Sequence, residues 1–201
     1  MIVAVWLGAF YCAVLTGGAC AQPPVVNKSD IANLLSDARS IKEEIKILTQ
    51  KQWNAVEENA KVKFHPAFDG EYHFFIGEKD GRVAGYVVMD TVYGRRGPIQ
   101  YMLSLDPDGK IKEVVLLDHS ERLGKPSAMR RFLRQFAGKT ARDKLRLKKD
   151  IHAVTGATVS SRSISNGIRK AIHVFNEIYM DNRRDHSDAA KKRGRVSILH
   201  Y

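Results

Sequence analysis

Hydroxyl side chains crowd one short stretch of this chain: Thr155, Thr158, Ser160, Ser161, Ser163 and Ser165. Gly156 and Ala157 lie among them. A glycine takes backbone angles closed to other residues, and the pair keeps side-chain bulk away from a ligand. A helical pattern follows at once, so Thr158 stands where coil gives way to helix. A helix N-terminus offers N–H groups without intrahelical acceptors and a partial positive charge, and both suit a phosphate. The spacing therefore fits an anionic ligand at Thr158, with helix N–H groups near Ser160 and Ser161 in reach of its oxygens. The same spacing also fits a Thr158 that is no more than the helix cap.

The elements that would position this stretch can be read in order. Ser29-Asp30 opens a helical pattern, Ile41, Ile45 and Leu48 continue at spacings of three and four, and Thr49 caps a further helix through Trp53 and Val56. Residues 22–62 are thus expected to be an N-terminal helical segment. The period then changes to that of strands, at 72–76, 82–89, 99–105 and 111–117. Asp80-Gly81, Gly94 to Pro98 and Asp106-Pro107-Asp108-Gly109 supply the turns. Tight turns between successive strands predict an antiparallel meander. A helix over 127–136 turns Met129, Phe132, Leu133 and Phe136 inward and ends at Gly138. The basic run 139–149 reads as a solvated edge strand or loop, or as a docking face for an acidic partner. A last helix over 160–180 places Ile164, Ile168, Ala171, Ile172 and Phe175 on one stripe, with Arg169 and Lys170 on other faces. The fold class is therefore α+β, an antiparallel β meander with packed helices, over residues 63–180. Residues 181–201, polar and basic, read as a flexible tail.

The motif resembles a specific one. Thr155-Gly156-Ala157-Thr158 matches in order the end of the flavinylation motif, Asp-x-x-Ser/Thr-Gly-Ala-Thr, of the FMN-binding domain family. That family includes the FMN-carrying subunits of the sodium-pumping NADH:quinone reductase and of the Rnf complex. Three further stretches resemble its compact members: 80–88, 107–114 and 130–139. The likeness spans roughly residues 48–178, with boundary error of a few residues. It implies that Thr158 carries FMN through a phosphoester bond and that Thr155, Gly156 and Ala157 make room beside it. It also makes Glu121 and Gly124, in the loop after the fourth strand, candidates to lie beside the flavin; a surface turn ahead of the next helix explains them as well. Tyr86, Tyr93 and Tyr101 are candidate walls for the ring or ordinary sheet packing. His152 stands where the family has Asp, and Asp150 lies two residues earlier. The resemblance further implies a separate flavin transferase that uses FAD and Mg²⁺, because a threonine hydroxyl is a weak nucleophile unaided.

Composition narrows the alternatives. The 201 residues suffice for one domain with a real core. Met1 to Ala21 carry no charged side chain, and Ala19-Cys20-Ala21 before Gln22-Pro23-Pro24 reads as a signal-peptidase site, so residues 1–21 are expected to be a signal peptide. An uncleaved anchor and a lipid on Cys20 are the other readings of that segment. Cys12 and Cys20 both lie within it, which leaves a mature domain without disulfides, thiolate chemistry or cysteine metal sites. A net charge of +11 favours acidic partners or anionic lipid, and an exported location argues against nucleic acid. The histidines are scattered without metal-ligand spacing, and no nucleophile elbow, P-loop or dinucleotide fingerprint occurs. The reading is an exported, periplasmic electron carrier with covalent FMN, served by membrane or periplasmic redox partners. The alternatives are a flavin-dependent reductase of a small acceptor and a non-flavin module for an anionic partner.

Overall fold

The computed structural model describes residues 27–64, 70–119 and 126–180. The expected signal peptide, the expected basic tail, Glu121 and Gly124 lie outside the described residues.

The centre is a five-stranded antiparallel sheet in sequential order: β1 (Ser40–Ile47), β2 (Glu71–Lys79), β3 (Arg82–Tyr93), β4 (Pro98–Leu105) and β5 (Ile111–His119). Helices α1 (Lys28–Leu34), α2 (Gln50–Ala60), α3 (Pro126–Arg134) and α4 (Thr158–Phe175) complete the α+β fold, and α4 runs on into a π turn, Asn176–Met180. The Asp80-Gly81 hairpin and the Asp106 turn form as their residues demand. Asp80 and Gly81 both take positive φ, and the Asp106 carboxylate accepts the N–H groups of Asp108 and Lys110.

The meander is one strand longer than expected. Ser40–Ile47 is not helical; it pairs with β2 from Ser40↔Glu78 to Ile47↔Glu71. Ile41, Ile45 and Leu48 mimic a helical stripe, but the run Ile41-Lys42-Glu43-Glu44-Ile45-Lys46-Ile47 also alternates. Its branched isoleucines suit a pleated edge. Helix α2 is anchored as its sequence requires, with Thr49 and Gln52 closing a reciprocal capping box.

Helix α4 lies across one face of the sheet. Ile164, Ile168, Ala171, Ile172 and Phe175 are fully buried in a core with Phe74, Tyr86, Val88, Tyr101 and Leu103. Gly167 permits the approach to β3 and β4, since a Cβ there would stand 2.4 Å from Val92 Cγ1 and 2.9 Å from the Tyr101 hydroxyl. The other face carries a smaller cluster, where Ile31, Leu34 and Leu35 meet Val87 and Met102.

Arg169 and Lys170 do not decorate an outer face of α4; both are buried. The helix is enclosed by the sheet on one side and by α2 and the 141–151 segment on the other, so it has no broad solvent face. Lys170 Nζ is 3.3 Å from Asp90 Oδ2, which also accepts the Tyr101 hydroxyl at 2.8 Å. The ammonium lies over the rings of Phe64 and Tyr72. Arg169 donates to the carbonyls of Ala60 (2.6 Å) and Leu145 (3.2 Å) and to Asn166 Oδ1 (3.1 Å). Burial lowers its pKa, and the neighbouring charge of Arg146 adds to that.

Candidate functional site

The stretch from Asp150 to Ser161 descends through a turn into α4. Ala157 N–H donates to the Val154 carbonyl at 3.0 Å. Gly156 takes φ of +80°, and a Cβ there would meet nothing within 4 Å. The glycine is thus required by the turn, and the space above it is open.

Thr158 is the first residue of α4 and is not its cap. The cap position is Ala157, which makes no side-chain cap bond. Thr158 is exposed, and among the described residues none is hydrogen-bonded to its hydroxyl. It lines a pocket of about 250 Å³ with Arg146, Leu147, Lys148, Ala153, Arg162, Asn166 and Arg169. A hydroxyl, the N-terminal turn of an 18-residue helix and several cations thus meet at one opening.

The other motif residues divide. Thr155 and Gly156 are exposed beside Thr158, whereas Ala157 is buried. Ser160 and Ser161 are buried too. The Ser161 hydroxyl accepts the Val154 N–H at 3.1 Å, and its own N–H donates to the Ala157 carbonyl. Ser161 therefore holds the turn and offers no donor to a ligand. That leaves the N–H groups of the first turn, at Thr158 and Val159, to face an anion. Tyr86 and Tyr101 are core residues, Tyr86 meeting Phe175 edge-on and Tyr179 at a tilt, while Tyr93 is exposed at the end of β3.

Asp150 does not stand in for the motif aspartate. Its carboxylate accepts the N–H groups of Leu145 (2.9 Å) and Arg146 (2.8 Å) and meets Lys139 Nζ at 3.3 Å. Burial works against its charge, but these donors outweigh it and hold the carboxyl below the usual aspartate range. The loop it ties includes two left-handed non-glycine residues, Leu145 and Lys148. Leu145 is fully buried, so 139–149 is an anchored loop and not an edge strand. At the motif's departure, His152, the side chain is exposed. The backbone is gripped instead: its N–H donates to Gln135 Oε1 at 2.8 Å and its carbonyl accepts Gln135 Nε2 at 3.0 Å.

Gln135, Arg146 and Arg162 are the residues that sequence reasoning missed. Arg146 sat in a run read as a solvated edge strand or loop, or as a docking face, and not as part of the Thr158 pocket. Arg162 follows Thr158 by four positions, one turn along α4, and that spacing was the available signal. Nothing in the sequence marked Gln135, whose contact spans 17 positions.

A cationic pocket at a glycine turn leading into a helix N-terminus has the polarity that suits an anion. Residues 94–173 match the sequence model of the FMN-binding domain family. The chain is 28% identical over 139 residues to one subunit of the proton-translocating ferredoxin:NAD(+) oxidoreductase complex of Clostridium ljungdahlii. That match covers 63% of this chain and 75% of the relative. It is 28% identical over 116 residues to the corresponding subunit of the Na(+)-translocating ferredoxin:NAD(+) oxidoreductase complex of Acetobacterium woodii, covering 52% of this chain and 55% of that relative. A subunit of the Na(+)-translocating NADH-quinone reductase of Parabacteroides distasonis superposes with a TM-score of 0.46 at 15% identity, covering 76% of this chain and 83% of that one. Among the described residues no helix is long and apolar enough to cross a membrane, and no group of His, Cys, Asp or Glu could hold a metal ion.

Proposed function

We propose that this chain is an exported electron-transfer flavoprotein that carries FMN covalently through a phosphoester on Thr158. The observation that carries the proposal is the uncommitted Thr158 hydroxyl at the start of α4, inside the matched FMN-binding region, on the wall of a pocket lined by Arg146, Lys148 and Arg162. These residues fit the group. The cations and the first-turn N–H groups meet phosphate oxygens, and the open space over Gly156 leaves room for the ribityl chain. Bound flavin supplies reversible uptake and release of electrons. The chain's own residues position it: Gly156 sets the turn, Ser161 pins Val154, and Asp150 holds the loop that presents Arg146 and Lys148.

A threonine hydroxyl is a weak nucleophile unaided, which supports maturation by a separate flavin transferase. The two ferredoxin:NAD(+) oxidoreductase relatives belong to redox complexes, which supports a membrane or periplasmic redox partner, and the Ala19-Cys20-Ala21 sequence supports export.

Co-expression with a flavin transferase, followed by a denaturing gel, tests the attachment. The native chain is expected to fluoresce, Thr158→Ser to retain fluorescence, and Thr158→Ala to lose it. Persistent fluorescence in Thr158→Ala contradicts the proposal. Sustained turnover of a small acceptor by the isolated flavin-loaded chain would make it a reductase.

A further inference from the structure

A second cationic opening, of about 400 Å³, adjoins the Thr158 pocket. Arg146 and Arg169 line both, and the second is completed by Asn59, Arg142, Lys144, Lys149 and His173. The acidic residues here are already committed. Asp143 accepts the Thr140 N–H and hydroxyl and lies 3.9 Å from Lys139, and Asp150 is held by Lys139 and the loop N–H groups. By contrast Arg142, Lys144, Arg146, Lys148, Lys149 and Arg162 make no ion pair with any described residue. All six are exposed. They ride on fixed backbone, because Leu145 plugs the core and its carbonyl accepts both Arg169 and Ser165. Burial lowers the pKa of His173, as does the charge of Arg169, so it adds little charge at neutral pH.

From this geometry we infer that the Arg142–Lys149 loop and the adjoining turn of α4 form the docking face for an acidic protein partner that exchanges electrons with the flavin. The inference rests on the proposed FMN site, since Thr158 lines the pocket that this face surrounds. A partner seated here adjoins the pocket that Thr158 lines, because the two openings share Arg146 and Arg169. Two shallow concavities sharing the Arg169 wall suit acidic side chains projecting from a protein better than one compact ligand. A lipid surface is disfavoured because Val159 is the only large apolar side chain strongly exposed along 142–162. Unpaired cations around a redox site steer an oppositely charged protein and orient it on arrival, at the cost of strong salt dependence.

The test uses the full flavin-loaded chain and a reduced acidic two-iron ferredoxin as probe, with stopped-flow flavin reduction at low and high ionic strength. Arg142→Glu/Lys144→Glu/Lys149→Glu avoids every residue assigned to the phosphate. It is expected to keep full in-gel flavin fluorescence, to lower the second-order rate about tenfold or more and to flatten its salt dependence. Lys79→Glu/Arg82→Glu/Lys110→Glu, with the same charge change at the hairpin tips, is expected to retain most of the rate. Equal losses in both variants, or no loss in the first, overturn the docking face. So does tighter binding of the native chain to phosphatidylglycerol vesicles than to the ferredoxin, lost in the first variant. If the native chain takes up no flavin, the attachment proposal has failed; the docking face is then read by ferredoxin binding to the same proteins in light scattering. Loss of that binding in the loop variant alone supports the face, and binding unaffected by the loop variant overturns it.

Discussion

The side-chain amide of Gln135 closes a two-bond clamp on the backbone of His152, donating to its carbonyl and accepting its N–H. The clamp ties the residue after α3 to the stretch that leads into the Gly156 turn, whatever side chain position 152 bears. Gln135→Ala is therefore expected to lower stability by about 1–2 kcal/mol, with the backbone groups left to find water. Flavin loading should fall with it. His152→Ala should leave both within error, as read by thermal melts and in-gel fluorescence.

The meander, the hairpin at Asp80-Gly81 and the glycine turn at Gly156 were legible in the sequence because each follows from local residue chemistry. The strand at Ser40–Ile47 was not, because Ile41, Ile45 and Leu48 satisfy a helical spacing while their neighbours satisfy an alternating one. Which period wins is decided by pairing with β2, a long-range event. The burial of Arg169 and Lys170 was illegible for a similar reason: their acceptors come from the end of α2, the 145 loop and β3. At the site, local residue chemistry marked the glycine turn into α4, where Thr155 and Gly156 are exposed beside Thr158. The roles of Ser161 and Asp150 as loop braces follow only from the folded geometry.

The Asp90–Lys170 pair predicts a non-additive pair of substitutions. Lys170→Met leaves Asp90 buried without its ammonium partner, still accepting the Tyr101 hydroxyl and the Thr91 N–H, and a loss of about 3 kcal/mol is expected in denaturant unfolding. Adding Asp90→Asn removes the stranded charge, so the double variant should be more stable than Lys170→Met alone.

Acid sensitivity should centre on Glu44. Hydrogen bonds from Lys42 and Lys46, joined by the Tyr179 hydroxyl, hold its carboxyl down at about 2, against an ordinary value of 4.5. A carboxyl depressed on folding lends stability that is complete above the ordinary value. It is lost as pH falls from there through about 2. Because Lys42 is exposed and Lys46 partly so, the contribution is about 1 kcal/mol. Glu44→Gln should lower the melting temperature at pH 7 and leave it nearly unchanged near pH 2.

The pocket cations predict graded loss of loading. Arg146→Ala/Arg162→Ala removes two of the charges that meet the phosphate while leaving the Asp150 brace, whose bonds run to backbone N–H groups. Flavin incorporation by the transferase should drop about tenfold or more, with a melting temperature close to that of the native chain.

The central claim is the bond between Thr158 and FMN, and peptide mapping tests it most directly. Trypsin should release Asp150 to Arg162 as one peptide, which holds Thr155, Thr158, Ser160 and Ser161 together. Fragmentation of that peptide from the flavin-loaded chain is predicted to place a single FMN phosphoester on Thr158. An FMN on Thr155 or on either serine, or an unmodified peptide from a chain co-expressed with an active flavin transferase, would contradict the account.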